Sequence, residues 1–168
     1  MTPQAPADGR EAIAAAIAFV LRSTRARPKT AAEVRAKLSD HAYDTAVIEA
    51  AIARATELGA IDDAAFARAW VADRGIVRGY SSARLRQELQ RRRVPQPLID
   101  EALEQLDERD ELAVATDLAR MRAQRMPATL PPEAVARRLL GFLARRGYSE
   151  SLARRAAIDV SGLDRQWD

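Results

Sequence analysis

The residues best suited to acid–base chemistry in this sequence are two adjacent aspartates, Asp62 and Asp63. Two carboxylates share acid–base work when their side chains converge on one site. Neighbours at a predicted helix start diverge instead, and a negative charge there is favoured by the helix dipole. The pair is therefore interpreted as a helix cap, with catalysis as the alternative.

The second candidate for chemistry is His41, the only histidine in a chain of 168 residues without cysteine. A zinc site or a nucleophilic triad needs partners of the right type, and the surrounding turn, Asp40-His41-Ala42-Tyr43, supplies none. The seven glycines are scattered, so there is no glycine-rich loop for a phosphate. We predict no catalytic residue, no metal, no cofactor and no enzymatic activity, with His41 as an exposed turn residue.

The elements that hold these residues are predicted to be helices throughout. Aromatic residues make up only 5% of the sequence and much of the apolar share is alanine, which suits closely packed helices. Ile13, Ile17 and Val20 recur at helical spacing in the first helix. Thr30 followed by Glu33 is the capping-box pattern at the start of the second helix. The residues predicted to face inward from the third to the fifth helix are Val47, Ile48, Ile52, Leu58, Phe66, Trp70, Val71, Val77, Leu85 and Leu89.

The apolar pattern repeats along the chain. Val34 and Leu38 correspond to Leu85 and Leu89 at an offset of 51 residues, and Leu89 corresponds to Leu143 at 54. A period near 50 residues is typical of stacked arrays. The sequence therefore predicts an all-α protein of three tandem three-helix repeats in an elongated, curved array. A compact globule with coincidental spacing is the alternative.

The predicted boundaries follow the breaks in this pattern. They are a disordered N-terminal tail at 1–10, three-helix repeats at 11–60, 61–107 and 108–160, and a C-terminal tail at 161–168. Tyr80 and Tyr148 each follow a glycine at a turn and are predicted to fill the join between repeats. No segment approaches the roughly 18 apolar residues of a membrane span, and the absence of cysteine fits the cytoplasm. We expect a monomer.

The charges are unevenly placed and are almost all arginine on the positive side. The segment 81–93 carries a net charge of +4, 99–111 carries −6, and 135–155 carries +5. Alternating bands steer an encounter and fix the register of a partner. Ordinary solvated faces are the alternative. The predicted partner-binding residues are Arg84, Arg86, Arg91, Arg92, Arg93, Arg137, Arg138, Arg145 and Arg146.

Several blocks resemble a known family. The block Ile61-Asp62-Asp63-Ala64-Ala65-Phe66-Ala67 and the later block Phe142-Leu143-Ala144-Arg145-Arg146-Gly147-Tyr148-Ser149 are similar to the patterns of the RecX family of bacterial recombination regulators. Glu33-Val34 followed by Lys37-Leu38 is similar as well, and the resemblance covers about residues 12–158. Two turns depart from it, with Asp40 to Tyr43 lacking the usual glycine and Arg93-Val94 standing where the family has Gly-Ile.

The resemblance implies three tandem three-helix repeats and a protein that binds the RecA filament. It further implies that binding suppresses RecA's ATP hydrolysis, strand exchange and co-protease activity. The alternative from the residues themselves is a stand-alone helical protein that binds single- or double-stranded DNA. Arginine-heavy helices with few Asn or Gln side chains favour phosphate contact over the reading of bases.

Overall fold

The computed structural model describes residues 9–107 and 109–163, and these residues are helical with short connections. The all-helical prediction is confirmed, and the elongated, curved shape stays a prediction. The predicted tails fall mainly on 1–8 and 164–168, which lie outside the described residues. The helices are α1 Gly9–Ala26, α2 Ala31–Asp40, α3 Thr45–Glu57, α4 Asp63–Val71, a π-helical segment Ala72–Val77, α5 Ser82–Arg91, α6 Gln96–Leu103 with a 3-10 turn Glu104–Leu106, α7 Glu111–Ala123, α8 Pro132–Ala144 and α9 Glu150–Ser161.

The chain divides into two compact units, and unit 1 consists of the described parts of Met1–Ala69 and Leu89–Ala102. Here α1 and α2 both pack on α3. The buried face of α1 is Ala12, Ala16 and Val20, while Ile13 and Ile17 are partly buried beside it. Small alanine side chains let α1 and α3 approach closely. The face of α1 that packs on α3 is therefore lined by alanines rather than by the isoleucines that the spacing indicated.

Unit 2 consists of the described parts of Trp70–Glu88 and Leu103–Asp168. Helices α7, α8 and α9 pack on one another around Leu139 and Leu143, which have no exposed surface. Ala115 and Ala119 of α7 complete this core, again on a small-residue face. Helix α5 begins in unit 2 and ends in unit 1, and the predicted repeat boundaries remain a prediction.

Two residues predicted to face inward are exposed, and these expectations were wrong. Leu58 is 50% exposed because α3 ends at Glu57 and its helical phase ends with it. Val77 is 78% exposed because the π-helical segment widens the turn and shifts the phase that the α-helical spacing predicted. Phe66 and Trp70, also predicted in the core, are half-buried.

The turns after the second helix of each predicted repeat share one backbone feature. Ala42, Arg93 and Gly147 all have positive φ, at 59°, 55° and 86°. They are separated by 51 and 54 residues, the same offsets as the apolar positions. Only glycine adopts this conformation without steric cost. The two departures from the family pattern thus lie where the backbone still takes the shape a glycine would take.

Candidate partner-binding surface

The side chain and the carbonyl of Arg92 in unit 1 both make contacts within this chain. Its Nη1 forms an ion pair with Glu33, and its guanidinium lies over the ring of Phe66 at 5.6 Å from the centroid. Its carbonyl accepts a hydrogen bond of 2.9 Å from the hydroxyl of Thr30. Arg92 is half-buried, so its charge largely serves the fold.

Arg91 and Arg93, on either side of it, are exposed. Neither guanidinium has an ion-pair partner within the described residues. Arg93 also holds a left-handed backbone conformation, with φ of 55°. Of the three arginines predicted here to bind a partner, these two present an uncompensated charge to solvent.

The start of α2 forms a contact that we call the first joint, made by Thr30, Ala31, Asp63 and Arg92. The predicted capping box is confirmed, because the Thr30 hydroxyl accepts from the Glu33 N–H while the Glu33 carboxylate accepts from the Thr30 N–H. Besides the Thr30–Arg92 bond, Asp63 Oδ1 accepts from the Ala31 N–H at 2.8 Å. The first joint therefore ties α2 to α4 and to the α5–α6 turn.

Asp62 and Asp63 act as capping groups rather than as a catalytic pair. Asp62 Oδ1 accepts a 2.8 Å bond from the Ala65 N–H of its own helix, whereas Asp63 serves α2. Burial raises the pKa of Asp63 above its ordinary value, and the hydrogen bond from Ala31 opposes that rise. His41 is exposed and packs against Phe19 with the two rings tilted by 53° and their centroids 4.7 Å apart.

Arg84 in unit 2 belongs to a polar network around Glu88. The Glu88 carboxylate, with its side chain 12% exposed, accepts from Arg84 Nε at 3.0 Å, from Arg74 Nη1 at 3.2 Å and from Trp70 Nε1 at 3.0 Å. Arg84 also donates to the carbonyl of Arg145 and lies over the Tyr80 ring. The other α5 arginine of this unit, Arg86, is half-buried and likewise has a partner.

Arg146 packs over the Phe142 ring at 3.9 Å from its centroid. Burial is the main cause that lowers its pKa below the ordinary arginine value, with Arg122 and Arg145 adding to that effect. The nearby Arg137, Arg138 and Arg145 are exposed. Their guanidiniums have no ion-pair partner in the part of the chain that the structure describes.

The start of α5 forms a second joint, made by Ser81, Ser82, Glu111 and the α8–α9 turn. The Ser81 hydroxyl donates to the carbonyl of Gly147 at 2.7 Å and caps α5 by accepting from the Arg84 N–H. The Ser82 N–H donates to Glu111 Oε1 at 2.9 Å. This matches the first joint group for group: a capping hydroxyl bonded to a turn carbonyl, and the next N–H bonded to an acid at the start of a following helix.

Tyr148 directly follows Gly147 of the second joint, and its role at the join between two repeats stays a prediction. It is buried, and its hydroxyl donates to the carbonyl of Gly79 at 2.9 Å. Burial raises its pKa above the ordinary value of 10.0. Tyr80 is half-buried, and its carbonyl accepts from Arg109.

Arg109 is a structural residue that the sequence analysis did not single out. It donates to the carbonyls of Gly75 at 2.6 Å and Tyr80 at 2.9 Å, on either side of the end of the π-helical segment. The available signal was its isolation, since it is the one arginine in the acidic segment 99–111. The charge pattern of the sequence gives no sign that Arg109 donates to carbonyls about 30 residues away.

No three His, Asp or Glu side chains among residues 9–107 and 109–163 are placed to hold a metal ion. None of the helices described here is long and apolar enough to cross a membrane.

Comparison with known proteins places this architecture. The family model described as the first three-helix domain of RecX matches residues 21–54, and the one described as its second three-helix domain matches 62–103. A regulatory protein RecX from Mycobacterium sp. (strain JLS) is 38% identical over 139 residues, covering 81% of this chain and 76% of the relative. One from Thermobifida fusca (strain YX) is 38% identical over 178 residues, covering 96% and 95%.

The crystal structure of RecX from Lactobacillus salivarius has the same fold, with a TM-score of 0.70 over 90% of this chain and 97% of that one at 15% identity. Fold and relatives together define a helical-repeat protein with a regulatory role rather than an enzyme. The chain belongs to the RecX family of regulatory proteins. The resemblance noted in its sequence is thereby confirmed, as is the prediction that it is not an enzyme.

Proposed function

We propose that this chain binds the RecA–DNA filament and inhibits RecA's ATP hydrolysis, strand exchange and co-protease activity. Membership of the RecX family is the observation that carries the proposal. The exposed arginines without acidic partners supply a means of contact, because complementary charge steers a partner and fixes its register. They are Arg91, Arg93, Arg137, Arg138 and Arg145.

The repeated construction suits a partner that is itself a repeating filament. The two joints use the same kinds of group, a capping hydroxyl and the next N–H on one side and a turn carbonyl and an acid on the other, so successive segments of the chain are linked in the same way. Several weak contacts to successive RecA subunits would add through effective concentration. A ligand that bridges two subunits opposes the movement between them, and ATP turnover in the filament would slow for that reason.

RecA ATPase measured on single-stranded DNA, with the purified chain titrated in, tests this proposal. We expect turnover to fall as the chain saturates the filament, with half-inhibition tracking the bound fraction in a sedimentation assay. Unchanged turnover at saturating protein, or no co-sedimentation with the filament, would contradict it. The heat-denatured chain serves as the control.

Direct DNA binding is the second candidate, and the exposed, unpaired arginines are the observation that favours it. Binding to duplex and single-stranded DNA without RecA would be measured over a range of salt concentrations. Phosphate contacts give a log–log slope of about −0.9 per contact on duplex DNA. Tight binding that depends on sequence would favour this candidate, whereas weak binding that depends steeply on salt fits an accessory role beside RecA.

A further inference from the structure

Two consecutive residues with large aliphatic side chains are exposed at the end of the π-helical segment. Ile76 is 60% exposed and Val77 is 78% exposed. Two adjacent branched side chains in water cost free energy that burial in a partner would recover. They differ in this respect from the other large exposed hydrophobics in the described part of the chain, Leu58 and Met121, which stand singly in the sequence.

The Ile76–Val77 pair is held in place from beneath. Gly75, directly before it, is buried against Leu85 and Leu106, and a Cβ there would lie 2.9 Å from a Leu85 methyl carbon. Arg109 donates to the Gly75 carbonyl. The buried Nε of Arg109 has no hydrogen-bond partner among the described residues, and burying it in this way costs free energy. The packing therefore fixes the backbone that displays the pair while leaving the pair itself uncovered.

The surroundings of the pair are basic. Arg78 follows Val77 and forms an exposed ion pair of 3.0 Å with Asp73. The side chain of Arg146 reaches the carbonyl of Arg78, with an Nε to O distance of 3.4 Å. Arg122 and Arg146 both lie over Phe142, at 5.8 Å and 3.9 Å. Asp73 balances the charge of Arg78, so Arg146 supplies the excess positive charge beside the residue that follows the aliphatic pair.

We propose that the Ile76–Val77 pair is an apolar anchor that inserts into a protein partner, in a pocket bordered by Asp or Glu side chains that face Arg146. A protein face fits this chemistry, because the buried core of a protein interface is apolar and its rim is polar. The inference rests on the proposed function, in which the partner is the RecA filament, and it names where that contact is made.

The test replaces both anchors in the full-length chain, as I76S/V77S, and measures affinity for RecA filaments on single-stranded DNA. The matched control is L58S/M121S, which also removes two exposed hydrophobic side chains. We expect I76S/V77S to bind at least about tenfold more weakly, as is typical of an interface anchor, and the control to bind like the wild type. Thermal unfolding should be unchanged in both, since the altered side chains are exposed.

The outcomes separate the two proposals. If wild-type protein does not bind the filament, the proposed function fails and the anchor falls with it. If wild-type protein binds and I76S/V77S binds equally well, the anchor alone is overturned. Equal weakening by both double variants, or a change of oligomeric state in I76S/V77S alone, also overturns it, because the pair would then be non-specific or a contact between copies of this chain.

Discussion

At the scale of single residues, partners decide what each arginine is available to do. Glu33 and Glu88 lie far in the sequence from most of the cations they hold, and they commit Arg92, Arg74 and Arg84 to the fold. A count of charges along the chain located the basic segments. That count could not separate arginines with an ion-pair partner from those without one, because the acidic partners come close only when the chain folds.

Tyr148 is the residue whose loss should report most cleanly on the packing beside the second joint. In Tyr148→Phe, the buried carbonyl of Gly79 loses its 2.9 Å donor while the ring volume is kept. An unsatisfied buried acceptor costs about 1–3 kcal/mol. We expect the free energy of unfolding in urea at pH 7 to fall by about that amount.

The same variant should change the response to alkali. Because burial raises the pKa of Tyr148 above 10.0, the unfolded state releases its proton first as the pH rises. The stability that the protonated Tyr148 phenol contributes is therefore fully present below pH 10.0. It is lost as the pH rises through the higher pKa of the folded state. Tyr148→Phe should lose less stability than the wild type between pH 9.5 and 11 or so. Equal losses would show that the phenol does not titrate differently in the two states.

At the scale of elements, the helices follow from local sequence but the π-helical segment does not. Caps such as Thr30 and Ser149 act within one turn of chain, so their pattern predicts where a helix begins. The widened turn at Ala72–Val77 depends on Arg109 and Leu106, which lie about 30 residues further on. The prediction that Val77 faces inward was wrong for this reason, since a constant helical period carries no sign of a contact made that far away.

The two joints give a prediction for helix-capping residues that have a second task. Thr30 and Ser81 each cap a helix and also donate to a turn carbonyl, whereas Ser149 caps α9 from an exposed position. Replacing Thr30 or Ser81 with Ala should cost about 2–3 kcal/mol, against about 1 kcal/mol for Ser149→Ala. Urea unfolding measures all three. A loss at Ser81 no larger than at Ser149 would mean that the joint adds nothing to the cap.

At the scale of the whole molecule, the sequence offsets predicted three repeats, and the compact units number two. Each unit contains one joint with the helices on both sides of it. The offsets revealed which positions are equivalent, since every copy needs the same core. They carried no information on how strongly neighbouring copies are tied, because that depends on bonds such as Ala31 to Asp63 that lie outside the apolar pattern.

The free arginines lie in both units, which leads to a prediction for the complete chain. R91E/R93E and R137E/R138E each reverse two exposed charges, and each should weaken filament binding about tenfold or more. Combined, the effects should multiply, because the pairs lie in different units. Arg92 is left unchanged since it holds Glu33.

The control for this experiment is R22E/R25E on α1, which changes the net charge by the same amount at exposed positions. Circular dichroism should show the same helix content in all variants. If the control weakens binding as much as the test variants do, the effect is one of net charge. If either double variant binds the filament like the wild type, the two arginines it replaces do not belong to the contact surface.

The matched joints have a consequence for how such a protein grows by gene duplication. A copied segment brings both halves of the contact with it, a hydroxyl with an N–H at one helix start and a carbonyl with an acid to receive them, so a new copy can dock without new mutations. Helix α8 lacks the donor half, because Pro131 and Pro132 stand at its start and neither has an N–H or a hydroxyl. A further repeat placed after it could therefore not form a joint of this kind with α8.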